Sequence, residues 1–119
     1  MPTTDTETRL RAWAAALAGQ QVQRTARTGT ERIDQAIEAV NIAADVMRIE
    51  SIVQRMEAAG RWKEGRVLRT EYFMAGLPES GRLAAIARMG TPISRTSYYA
   101  YLTSARAYVE GALAMAVAA

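Results

Sequence analysis

Apolar positions along the chain recur mostly at steps of three and four, which predicts helices throughout. Leu10, Trp13 and Leu17 fall on one face of a helix over residues 5–18, after the capping-box pattern Thr4-x-x-Glu7 and before a stop at Gly19. Residues 20–29 are polar and read as a linker or a frayed continuation. A second capping-box pattern, Thr28-x-x-Glu31, with Thr30 as an alternative cap, opens a long helix over residues 31–59 that stops at Gly60. Its apolar face switches sides. Ile33, Ile37, Val40, Ala44 and Met47 share one side, while Ile42, Val46, Ile49, Val53 and Met56 lie about opposite at roughly 100° per residue. Such a helix either touches two different surfaces, one of them its own module and the other a second subunit or the first helix, or breaks near residues 45–48. Asp34, Glu38, Asn41 and Asp45 make a polar stripe, read as a solvated face.

From Arg61 onward a helix is predicted over residues 62–74, ending at Gly76, with Leu68, Tyr72 and Ala75 as its core stripe. Trp62, Tyr72 and Phe73 read as core or interface rather than as a base-stacking platform. Leu77-Pro78-Glu79 begins the next helix, with Pro78 in the first turn and Glu79 at the positive end of the dipole. Leu83, Ile86 and Met89 face inward, Gly90 is the stop, and Pro92 forbids continuation. Ser94 or Thr96 caps the last helix. That helix carries the regular buried stripe Tyr98, Leu102, Ala105, Val109 and Leu113, and presents Arg95, Thr96, Tyr99, Thr103 and Arg106 outward. The fold class is therefore all-α: a small bundle of about five helices with one long central helix and a carboxy-terminal helix-turn-helix. Residues 1–60 form an arm and long helix suited to dimerisation, and residues 61–119 a basic module.

Composition removes function classes. The chain has 119 residues, no cysteine and no histidine, so disulfides, cysteine–zinc sites and the commonest general base are absent. Ser94, Ser97 and Ser104 have no histidine to activate them, Lys63 is the single lysine, and no phosphate loop is present. No enzyme activity and no cofactor or metal are expected. No stretch reaches the roughly 18 apolar residues of a membrane span, and the start lacks the features of a secretion signal. The expected location is cytoplasmic.

Charge is uneven. Residues 1–60 carry seven basic and eight acidic groups, whereas residues 61–106 carry eight basic and three acidic groups, net +5. Arginine suits bidentate phosphate and guanine contacts, although a GC-rich genome accounts equally well for fourteen arginines against one lysine. A recognition helix needs a buried stripe, a polar or cationic first turn, and hydroxyls at its start. Ser94, Arg95 and Thr96 supply the start, and Tyr99, Thr103 and Arg106 continue the face. Arg82, Arg88, Lys63, Arg66 and Arg69 are placed to hold the phosphate backbone.

Ile86-Ala87-Arg88-Met89-Gly90, followed by Ile93-Ser94-Arg95-x-x-Tyr98-Tyr99-x-x-Leu102-x-x-Ala105, resembles the carboxy-terminal module of small phage transcription regulators. These are the Q-type late-gene antiterminators and the ArpU-like activators, with a sigma-region-4-like helix-turn-helix. The resemblance covers residues 66–113. This chain departs from the pattern by inserting Thr91-Pro92 after the glycine and by placing Ile86 where a small residue is usual. The resemblance implies binding to double-stranded DNA near a phage late promoter, contact with RNA polymerase, and the cytoplasm of a bacterial host as the setting. A different class also fits the pattern: a small helical oligomeric adaptor or inhibitor that grips a protein partner with the switched-face helix and the apolar tail.

Overall fold

The computed structural model describes the backbone of residues 4–18 and 29–118, and the side chains of residues 5–17 and 43–115. Five helices account for the regular structure of these residues: α1 (Thr4–Ala18), α2 (Gly29–Ala58), α3 (Trp62–Phe73), α4 (Glu79–Arg88) and α5 (Arg95–Ala118). The protein is an all-α bundle. Helix α3 is its hub and packs against each of the other four. None of the helices among the described residues is long and apolar enough to cross a membrane.

The core is one cluster. Leu10 and Trp13 of α1 meet Ile49, Val53 and Met56 of α2, Val67 and Leu68 of α3, Ile86 of α4, and the α5 stripe Tyr98, Leu102, Ala105, Val109 and Leu113. All five stripe residues are buried, as the periodicity predicts. Burying each large aliphatic member is worth about 1.5–3 kcal/mol relative to leaving it exposed. The boundary drawn at residue 60 therefore divides charge and not packing, because the second half of α2 belongs to the same core as α3 and α5.

Helix α2 runs without a break through residues 45–48. Of its two apolar faces, the one carrying Val46, Ile49, Val53 and Met56 is buried, whereas Ala44 and Met47 are exposed, Met47 at 62%. The side chains of Ile33, Ile37, Val40, Ile42, Asp34, Glu38 and Asn41 lie outside the described residues, as do Gly19 and the predicted linker up to residue 28. Asp45 is not simply solvated: Arg9 of α1 donates Nε to both its carboxylate oxygens at 3.1 Å. Other polar bonds clamp α1 to the body. Trp13 Nε1 donates to Glu50 at 3.0 Å, and the Tyr72 hydroxyl donates to Glu7 at 2.7 Å.

Four inward assignments are corrected. Trp62 is 44% exposed, because it sits on the first turn of α3, about 120° round the helix from Leu68. Ala75 lies past the end of α3 and is exposed. Met89 follows the last residue of α4 and turns outward, and Leu17 is exposed on the last turn of α1. Beyond Leu113, Ala114 and Met115 are exposed, Met115 at 74%.

Candidate nucleic-acid interface

The connection between α4 and α5 is built by backbone geometry first. Gly90 has φ +93°, a conformation that favours glycine. The Gly90 amide donates to the Ala87 carbonyl and the Thr91 amide to the Ile86 carbonyl, both at 3.0 Å. This is the Schellman pattern, which satisfies carbonyls the helix end leaves open. The same pattern closes α2 at Gly60, with φ +97°. Ile86, at the position where a small residue is usual, is wholly buried and ties α4 to the core.

The inserted Thr91 is also buried. Its Oγ1 accepts from Arg66 Nη1 at 2.7 Å, and the same Nη1 donates to the Met89 carbonyl at 3.0 Å. Arg66 thereby pins the turn to α3. Six residues separate the last position of α4 from the first of α5. That is longer than the three or four of a tight helix-turn-helix, and α3, packed against both, sets the relation between the two helices.

Ser94 is the cap of α5. Its Oγ accepts from the Ser97 amide at 3.0 Å, and its carbonyl accepts from the Tyr98 amide at 2.9 Å. Ser94 thus orients the helix start. Arg95, with its side chain 72% exposed, donates Nε to Glu79 Oε2 at 2.9 Å and stacks over the Tyr99 ring at 5.8 Å. The Tyr99 hydroxyl donates to the same Glu79 oxygen at 2.8 Å. Hydrogen bonds from Arg95 and Tyr99 hold the Glu79 carboxyl below its ordinary range, so it is charged at neutral pH. Thr96 and Thr103 are exposed on α5.

Three of the arginines expected to meet DNA, Arg69 and Arg82 at phosphates and Arg106 on the reading face, are occupied inside the protein. Arg69 donates to Glu50 at 2.9 and 3.1 Å and to Glu57 at 2.9 and 3.2 Å, and lies over Trp13 and Phe73. Burial lowers its pKa, but bonds to the two carboxylates outweigh that and raise it. Arg82 pairs with Glu71 at 3.1 Å and donates Nη1 to the Leu77 carbonyl at 2.7 Å. Its buried Nε is near Glu71 without a directed hydrogen bond. The Tyr98 hydroxyl fills the same Glu71 oxygen at 2.9 Å. Arg106 donates Nε to the Tyr72 hydroxyl at 2.8 Å and approaches Glu7 at 3.8 Å. It shares a helix face with Arg95, but by Arg106 that face is covered by α3 and α1. These three are scaffold residues.

The remaining cations are distributed differently. Among the described residues, Arg55, Lys63, Arg66 and Arg88 take part in no ion pair. Of these, Lys63 and Arg66 stand on the first turns of α3, and Arg88 ends α4 beside the turn that Arg66 holds. Trp62, which the sequence reads as core or interface, stands among them. Its ring has Lys63 Nζ at 5.5 Å and the Arg66 guanidinium at 5.3 Å. Its position six residues before Leu68, off the core stripe, was the signal for exposure.

No cluster of three or more potential metal-ligating side chains occurs among the described residues. Compared with known protein families, with curated proteins and with solved structures, the chain matches none.

Proposed function

We propose that the protein binds double-stranded DNA as a regulator of transcription. The interface comprises the first turns of α5, the α4–α5 turn and the start of α3. The observation that supports this reading is the placement of unpaired charge. Lys63, Arg66 and Arg88 take part in no ion pair, Arg66 is bonded to the α4–α5 turn that Arg88 precedes, and Arg95 and Thr96 stand exposed at the capped start of α5. Lys63, Arg66 and Arg88 take phosphates, Arg95, Thr96 and Thr103 address the groove, and Ser94 fixes the angle. The finer reading, a phage late-gene antiterminator or activator acting with RNA polymerase, rests on the resemblance of residues 66–113 alone.

Binding of a labelled duplex across a salt series tests the proposal. Each lost phosphate contact lowers the slope of log affinity against log salt by about 0.9. Lys63→Ala and Arg88→Ala should each do so. Arg48→Ala, on α2 and paired with Asp45, should not. Duplex binding that ignores salt, or equal slopes in all variants, overturns the reading.

A second reading is favoured by α2 and the α5 tail, where Met47 and Met115 stand exposed. There the chain is a helical adaptor that joins a protein partner or a second copy of itself. Met47→Glu would abolish self-association while sparing DNA binding, and sizing at low and high salt detects the dimer directly.

A further inference from the structure

Trp62 is the large side chain that folding does not account for. Every other aromatic ring among the described residues is buried or half-buried, whereas Trp62 is 44% exposed at the start of α3. It borders a groove of about 390 Å³ lined also by Phe73, Met74, Met89, Thr70, Arg66 and the Arg69–Glu57 ion pair, in which the acid is already neutralised. The apolar part of its wall is aromatic and thioether surface, which is flat or adaptable and suits a planar guest. At the rim, Lys63 and Arg66 lie within 5.5 Å of the indole and neither is paired with an acid. An apolar guest alone would need no such charge, whereas a base carrying its phosphate needs both surfaces.

We infer that this groove receives one unpaired base of a DNA strand, stacked against Trp62, with Lys63 and Arg66 on the adjoining phosphates. The inference rests on the DNA-binding reading and deepens it: the protein grips DNA where the duplex is opened. Arg66 gives the site its link to the duplex interface, because the same guanidinium that lies over Trp62 holds Thr91 in the α4–α5 turn. A strand entering the groove is therefore next to the α4–α5 turn. Stacking on an aromatic ring is tolerant of base identity, so this contact adds affinity for opened DNA without specifying sequence.

The experiment compares a continuous duplex with the same duplex carrying a short unpaired bubble, by fluorescence anisotropy at one salt concentration. The bubble should bind roughly five- to one-hundred-fold more tightly. Trp62→Ala should remove that gain, read as the ratio of bubble affinity to duplex affinity, and Trp62→Phe should keep part of it. Tryptophan emission should fall on binding the bubble, since Trp13 is fully buried and contributes a constant background. Equal affinity for both DNAs overturns the inference while the duplex reading stands, and leaves the groove to an apolar side chain of a protein. So does a Trp62→Ala loss that is the same on both DNAs. Saturation by dAMP with no gain from the bubble overturns it in favour of a free nucleotide. Failure to bind either DNA removes the DNA reading itself, and the inference with it.

Discussion

Arg66 Nη1 lies 2.7 Å from Thr91 Oγ1, so one guanidinium of α3 holds the two-residue insertion between α4 and α5. Thr91 is therefore part of the clamp and not a slack point in the loop. Thr91→Val preserves shape and removes the acceptor. It should lower unfolding stability by about 1 kcal/mol, the usual net worth of a buried hydrogen bond, read from the urea midpoint. A midpoint equal to that of the parent would mean that the Met89 carbonyl alone is enough for Arg66.

Arg69 is a structural arginine, and the proposed DNA reading assigns it no phosphate. It bridges Glu50 of α2 and Glu57 near the end of the same helix, while its plane covers Trp13 and Phe73. Removing it leaves two partly buried carboxylates without their partner. Arg69→Ala should cost about 2 kcal/mol, less than the loss of a wholly buried pair because water reaches this one. The salt slope of DNA binding should stay at the parental value. A stable variant with a slope lowered by about 0.9 would return Arg69 to the phosphates.

What was legible in the sequence follows from the range of each signal. Helix limits, the glycine stops at Gly60 and Gly90, and the α5 stripe depend on neighbours within a few residues, and they were readable. The fate of each arginine was not. Arg106 is occupied by Tyr72, 34 residues earlier, and Arg9 by Asp45, 36 residues later. No local pattern announces a partner at that distance. Trp62 failed for another reason: an aromatic at helical spacing reads as core or interface, and its place off the Leu68–Tyr72 stripe, on the first turn of α3, was outweighed by its size and apolarity. For the interface, the α5 start and the turn were legible, while the division of cations into scaffold and free was not.

Gly65 is buried on α3 against α2. A Cβ there would lie 2.4 Å from Cγ of Glu57, the acid that Arg69 holds. Alanine ordinarily stabilises a helix interior by roughly 0.5–1 kcal/mol relative to glycine. Here Glu57 must swing away and give up Arg69, so Gly65→Ala should be destabilising, by about 1 kcal/mol net. Combining it with Glu57→Ala should restore the ordinary gain of alanine over glycine, seen as a rise in Tm relative to Glu57→Ala alone.

Glu50 contributes to the acid limit of the bundle and Tyr72 to the alkaline one, where burial and the bond to Glu71 push the Tyr98 hydroxyl up as well. Burial pushes Glu50 up, but hydrogen bonds from Arg69, Trp13 and Gln54 outweigh it and leave the pKa below 4.5. A depressed folded-state pKa contributes stability that is complete above 4.5 and is lost as pH falls through the lower folded value. Burial and the bond to Glu7 push the Tyr72 hydroxyl from 10.0 up to about 12. Its contribution is complete below 10 and is lost as pH rises towards about 12. Urea midpoints should fall at both ends. Glu50→Gln should lessen the acid fall and Tyr72→Phe part of the alkaline one, Tyr98 carrying the rest, and each should leave the other limb in place.

Glu79 stands where an incoming phosphate would have to displace it. Its Oε2 receives Arg95 Nε at 2.9 Å and the Tyr99 hydroxyl at 2.8 Å, so the cation at the start of α5 is already neutralised before DNA arrives. The pair is on the surface and exchanges readily. Glu79→Gln removes the charge and keeps a carbonyl oxygen for Tyr99. Duplex affinity at low salt should rise by about two- to five-fold, and the gain should shrink as salt screens the released arginine. Arg95→Ala should cancel the gain, and the double variant should bind like Arg95→Ala alone. If Glu79→Gln binds no better than the parent while the fold is intact, Arg95 serves the α4–α5 contact and not the DNA. The reading face then contracts to Lys63, Arg66 and Arg88.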